Sequence, residues 1–218
     1  MPKKGHKFGK YEKPRNPRNP NARMSPLRDS ADGTTSLVAV DVGLTALGWA
    51  RWNRALPAEA GGVPVAPDAA GVIELPSRRD RDPWDVRATA IMAEYVAGPW
   101  AGSHGGFGGP PRVQVIEWPA YWAGDAKGNA AAAGEALGKL YFMCGMHRRL
   151  GDSYGARTIL VPVREWKGQM PKRVVARRIA AMIGCEDQGG RQFTEHAWDA
   201  VGIGLHHLGF GMSGGGRK

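Results

Sequence analysis

Residues 36–52 read Ser-Leu-Val-Ala-Val-Asp-Val-Gly-Leu-Thr-Ala-Leu-Gly-Trp-Ala-Arg-Trp, and the fold is decided here. The first run, 36–41, is almost wholly Val, Leu and Ala and ends on an acid, Asp41; a second apolar run, 45–52, follows a turn at Gly43. Aliphatic runs of this length broken by a glycine predict two strands of a meander. A third strand is expected at 71–75. A helix follows with Asp82 as N-cap and Pro83 at its first position, carrying Trp84, Ala88, Ile91, Met92 and Tyr95 towards Gly98. Arg112-Val-Gln-Val-Ile-Glu117 reads as a fourth strand, 129–149 as an Ala-rich helix and 158–161 as a fifth strand. Two helices close the pattern, over 171–183 and from Thr194 as N-cap to about residue 208. The order βββαβαβαα, a meander followed by crossovers, predicts an α/β chain with a five-stranded mixed sheet flanked by helices. Stretches 57–70 and 98–111, rich in Gly, Pro and Ala, read as loops.

The chain has 218 residues, 42% hydrophobic and 23% charged, ordinary values for a folded domain, and a net charge of +10. No apolar stretch is long enough for a membrane span, and no signal-peptide run opens the sequence. The two cysteines, Cys144 and Cys185, form no CxxC pair, so neither a disulfide framework nor a zinc knuckle is expected, and the cytoplasm is the expected location. Residues 1–35 hold nine Lys/Arg against three Asp/Glu and repeat Pro and Asn. Too poor in aliphatics to order itself, this segment is expected to be a disordered basic arm, and residues 210–218 a second flexible end. Such an arm binds polyanions by counterion release, which puts nucleic acid first among partners; a merely solubilising extension is the plain alternative. Residues 36–209 are expected to form the folded domain.

Asp41 and Glu117 each end an apolar strand. If the fourth strand lies beside the first and parallel to it, their carboxylates face each other where open sheets place ligands, and a divalent cation relieves their repulsion. Taken singly, Asp41 is equally a turn-forming acid before Gly43, and Glu117 a solvated acid opening a loop. The last helix begins Glu195-His196-Ala-Trp-Asp199-Ala. His196 and Asp199, three apart, leave one helix face as a competent ligand pair, whereas Glu195 is read as a first-turn acid near the helix dipole and is left out. His104, His147, His206 and His207 are read as surface or packing residues.

The stretch Asp41-Val-Gly-Leu-Thr-Ala-Leu-Gly-Trp49, Glu117 closing its strand, and His196-Ala-Trp-Asp199-Ala resemble the RuvC-type Holliday junction resolvases of the ribonuclease-H-like superfamily. Gly134-Glu-Ala-Leu-Gly138 is similar to that family's small-residue motif in the helix after the glutamate. The resemblance spans about residues 36–209 and implies a ribonuclease-H-like fold. It also implies Asp41, Glu117, His196 and Asp199 as catalytic residues holding two Mg²⁺ ions, with Mn²⁺ able to substitute. The implied activity is paired nicking of four-way DNA junctions by a homodimer, in recombination or repair, leaving 5′-phosphate and 3′-hydroxyl ends. The helix over 129–141 is the expected contact between protomers, and Trp166-Lys-Gly-Gln-Met-Pro-Lys172 is similar to phage-borne members.

Cations follow the fifth strand: Lys167, then Lys172 and Arg173 at a helix start whose free N–H groups favour phosphate oxygens. After Glu117, the stretch Trp118-Pro-Ala-Tyr121-Trp122-Ala-Gly-Asp-Ala-Lys127 is an aromatic loop. Trp118 is read as packing. Tyr121 and Trp122 are expected to stack on unpaired bases, with Lys127 beside them on DNA. Two other readings stay open: an actin-like ATPase or sugar-kinase relative using Asp41-Val-Gly-Leu-Thr45 as a phosphate loop, and a catalytically inactive branched-DNA-binding module. The first is disfavoured because such kinases duplicate the fold, and this sequence holds no second copy.

Overall fold

The computed structural model describes residues 35–74, 82–101, 109–119, 130–168, 170–185 and 193–211. Most of the expected N-terminal arm, most of the C-terminal tail, His104, Tyr121, Trp122 and Lys127 lie outside the described residues.

The strands are β1 (Thr35–Val42), β2 (Ala46–Ala55), β3 (Ala69–Glu74), β4 (Val113–Trp118) and β5 (Arg157–Pro162). The helices are α1 (Trp84–Tyr95), α2 (Ala130–Ser153), α3 (Val163–Trp166), α4 (Lys172–Met182) and α5 (Glu195–His207). The strands form one sheet in the order β3-β2-β1-β4-β5. The meander is antiparallel, while β4 lies parallel to both β1 and β5, so the sheet is mixed as expected from the switch between tight turns and crossovers.

Alternation along the central strands splits the core in two. Leu37, Ala39, Val113 and Val115 face α4 and α5, meeting Val175, Ile179, Ala200, Val201, Ile203 and Leu205. Val38, Val40 and Ile116 face the other way, towards Ile91, Met92 and Tyr95 of α1 and Met143 and Cys144 of α2. Both faces of β1 and β4 are therefore covered, which explains their near-continuous apolar sequence. Helix α5 comes unusually close: a Cβ on Gly204 would stand 2.4 Å from Trp52, and one on Gly202 2.5 Å from Trp166.

Three local expectations are corrected. Pro83, not Asp82, occupies the N-cap of α1, with Trp84 first in the helix; the proline ring's fixed φ suits either position. Beyond α1 the chain continues as a π-helical turn, Val96–Trp100, that accommodates Pro99 and takes the segment past Gly98. Buried Arg51 donates to the carbonyls of Pro99, Trp100 and Gly109, pinning this turn to β2. Third, the cationic loop after β5 contains the single helical turn α3, seated by buried Trp166.

Candidate metal centre

The site is assembled from the carboxyl ends of two adjacent strands and the first turns of α5. Val40 pairs with Ile116 in the parallel ladder, so Asp41 and Glu117 both follow the same rung and point to the α5 face. On its other side Asp41 pairs with Gly48 of β2. A Cβ at Gly48 would lie 2.0 Å from the His196 carbonyl oxygen and 2.9 Å from its Cβ. That bare glycine is what lets the start of α5 lie on the strand. A Cβ on Gly43, in the turn after β1, would stand 3.3 Å from His196 Cε1, so the imidazole lies against the turn.

One oxygen from each of Asp41, Glu117 and Asp199 lies within 4.8 Å of the others, and all three side chains are buried. His196 joins this trio through Asp41: its Nδ1 is 2.6 Å from Asp41 Oδ2. Lys167, one of the cations that follow the fifth strand, lies inside the cluster. Its Nζ donates to Asp199 Oδ2 at 2.8 Å and approaches Glu117 Oε1 at 3.5 Å, with the ammonium also 4.7 Å from the Trp166 ring. The side chain is only 13% exposed.

The electrostatics follow from crowding three carboxylates around few cations. Burial pushes the Glu117 carboxyl up to about 8, with Asp41 adding to the effect and Lys167 opposing it. Burial likewise raises Asp199, against the pull of Lys167. For Lys167 burial works against the ammonium, but Glu117 and Asp199 outweigh it and its pKa is raised. The His196 pKa is raised by the hydrogen bond to Asp41, with burial opposing. Lys167 is shared between two acids, 3.5 Å from Glu117 Oε1 and 2.8 Å from Asp199 Oδ2. The shorter contact decides: the ammonium belongs first to Asp199.

The donor set fits a hard divalent cation. It offers carboxylate oxygens with an imidazole beside them, and Glu117 Oε2 is buried with no hydrogen-bond partner among the described residues. Cys144 steadies the strand end, donating its thiol to the Glu117 carbonyl at 3.7 Å, and burial pushes that thiol up to about 12, so it stays protonated.

The other expected residues are dispersed. Lys172 forms an exposed ion pair with Glu195 at 3.2 Å, and Arg173 is exposed on the same turn of α4. Trp118 is half-buried and stacks on Tyr141 of α2, ring centroids 4.8 Å apart. His147 is fully buried against Gln114 and Tyr95. Gly48 went unread in the sequence, although a glycine inside a strand is a signal of close backbone approach. The inward reach of Lys167 carried no comparable signal.

No protein-family model matches this chain, and no curated protein matches it. Among solved structures, Thermus thermophilus RuvC in complex with a Holliday junction substrate aligns at a TM-score of 0.51 and 14% identity, covering 79% of this chain and 92% of that one. A second Thermus thermophilus RuvC structure aligns over the same shares at 17% identity and a TM-score of 0.45. The first alignment shows that this chain shares the ribonuclease-H-like fold of RuvC.

Proposed function

We propose that this chain is a divalent-metal-dependent endodeoxyribonuclease that resolves four-way DNA junctions by paired symmetric nicks, working as a homodimer. The observation that carries the reading is the buried trio Asp41, Glu117 and Asp199 at the carboxyl ends of the two central parallel strands. It is joined by the fold shared with a RuvC that was solved on a Holliday junction substrate. Asp41, Glu117 and Asp199, with His196 at their edge, are the residues that hold metal, two Mg²⁺ ions in this reading, with Mn²⁺ as a substitute. When bound, ions of this class supply Lewis-acid polarisation of a phosphodiester and a water of lowered pKa.

The chain's own contribution is placement. Strands β1 and β4 hold two carboxylates at fixed separation, and α5 brings the third against them. His196 orients Asp41 through Nδ1 and keeps Nε2 as its remaining ligand nitrogen. Lys172 and Arg173, exposed at the start of α4, contact phosphates; Lys167 faces the same substrate from the cluster. Tyr121, Trp122 and Lys127 serve the junction's unpaired bases and backbone, and the basic segment 1–35 adds sequence-independent affinity. The two-fold symmetry of a junction asks for two related sites, which a dimer through the N-terminal half of α2 provides.

The test is incubation of the full chain with a mobile four-way junction, a Y-fork and a linear duplex in Mg²⁺, Mn²⁺ or EDTA. Paired nicks at the four-way junction, absent in EDTA, are expected. No cleavage of any branched DNA in either metal, or ATP turnover in its place, would sink the assignment. No helix among the described residues is long and apolar enough to cross a membrane.

A further inference from the structure

We propose that Lys167 is a built-in placeholder cation: its ammonium holds the acidic cluster together before metal arrives, and divalent metal must drive it out towards the substrate. The inference rests on the metal-binding reading above and concerns what the chain does before metal binds. Lys167 is bound through the very atoms a metal needs. Its partners are Asp199 Oδ2 at 2.8 Å and Glu117 Oε1 at 3.5 Å, oxygens of two of the three clustered acids. An ammonium and a dication cannot both rest on these oxygens, because they repel and compete for the same lone pairs. Glu117 Oε2 is the buried oxygen left unpartnered, which gives an incoming ion its first foothold.

The local architecture confines the exchange to one side chain. Trp166 is buried and wedged beside Gly202 of α5, fixing the backbone just before Lys167. Gly168, immediately after it, takes a left-handed φ of +58°, so the chain turns sharply away there. A long aliphatic stem on an anchored Cα can swing its ammonium from the carboxylates to the mouth of the site without moving α3 or α5. Expelled, that charge is free to meet a substrate phosphate beside the site. Metal loading and substrate attraction are thereby tied to one residue, and the acids never face one another uncompensated.

The full chain is tested without DNA. Mn²⁺ affinity is measured by calorimetry and thermal stability in EDTA and in saturating Mn²⁺, for wild type, Lys167→Met and Lys167→Arg. Lys167→Met keeps the stem and removes the charge. It is expected to bind Mn²⁺ about tenfold more tightly or better, to melt about 3 °C or more lower than wild type in EDTA, and to recover in Mn²⁺. Lys167→Arg retains the EDTA stability. Unchanged or weaker Mn²⁺ binding by Lys167→Met, in a wild type that binds metal, overturns the placeholder and leaves the nuclease reading standing. Absence of Mn²⁺ binding in both overturns both. Should Lys167→Met fail to fold, wild type alone decides: acetylation by a water-soluble reagent, read by mass spectrometry, should spare Lys167 in EDTA and modify it in Mg²⁺. Equal modification in the two conditions overturns the proposal.

Discussion

His196 Nδ1 lies 2.6 Å from Asp41 Oδ2, across 155 positions of sequence, and this contact joins the last helix to the first strand at the site. It leaves the imidazole half-exposed while the carboxylate beneath it is buried, so the pair faces solvent from the ring side. The ring therefore acts on Asp41 from above and fixes the orientation of its carboxylate.

Replacing the two partners should have unequal effects. Asp41→Asn removes a charge from the trio and should cut metal-dependent cleavage by at least about a thousandfold, about 4 kcal/mol, while junction binding persists. His196→Ala, which leaves all three acids, should lower cleavage about 10- to 100-fold. Gel assays of nicking and binding on one labelled junction check both, and retained cutting by Asp41→Asn would remove that residue from the centre.

Gly48 tests the seat of α5. Gly48→Ala puts a Cβ 2.0 Å from the His196 carbonyl, a backbone atom that cannot step aside alone. A loss of about 1–3 kcal/mol, measured by urea unfolding, is expected together with weakened Mn²⁺ binding. Gly145→Ala, further along α2 with nothing within 4 Å, is the contrasting substitution and should hold or raise stability by up to about 1 kcal/mol.

The pH dependence of the acidic centre has a definite sign. Glu117 is held up to about 8 in the fold against 4.5 when unfolded, so the folded, metal-free chain binds the extra proton between those values. Its contribution to stability is therefore full below about 4.5 and is lost as pH rises towards 8. Glu117→Gln should make the metal-free chain more stable than wild type at pH 8 by at least about 1 kcal/mol, with no such gain near pH 4.5. In wild type, Mn²⁺ binding releases this proton, so affinity should rise by up to about tenfold per pH unit between 6 and 8. A pH-independent calorimetric affinity over that range would contradict it.

Two histidines, His147 in the core and His207 half-buried, act in the opposite sense. Burial holds His147 at about 3 and His207 at about 4, whereas both take up protons near 6.5 once unfolded. The unfolded state binds more protons in that window, so their contribution is complete above about 6.5 and disappears as pH falls through it. Each is worth up to about 1.4 kcal/mol per pH unit. His147→Gln should lower overall stability by removing the contact to Gln114, yet flatten the urea midpoint's fall between pH 6.5 and 5. Parallel pH profiles for the two proteins would show that His147 does not titrate there.

Much of this was legible because the central strands write their burial plainly. Both β1 and β4 are covered on two faces, so an acid at the end of each apolar run stands out, and the turn-then-crossover order dictates which strands are parallel. The three-residue spacing on α5 likewise places His196 and Asp199 on one side of the helix. What escaped depends on distances between segments remote in sequence. Lys167 reads as one cation among several, and only the turn at α3 and the seat of Trp166 aim it inward. Gly48 matters because a helix 148 residues later presses on it, a relation no local pattern encodes. The shift from Asp82 to Pro83 at the start of α1 reflects a helix boundary that proline satisfies from either side.

The two strand-borne acids sit in the middle of a sheet covered on both faces, whereas Asp199, His196 and Lys167 all come from its α4–α5 side. One wall of the centre is thus a strand pair covered on both faces, and the other is helical, edged by the exposed Lys172 and Arg173. Any variant that widens the range of DNA shapes accepted should alter residues of α3, α4 and α5, because β1 and β4 have nowhere to yield.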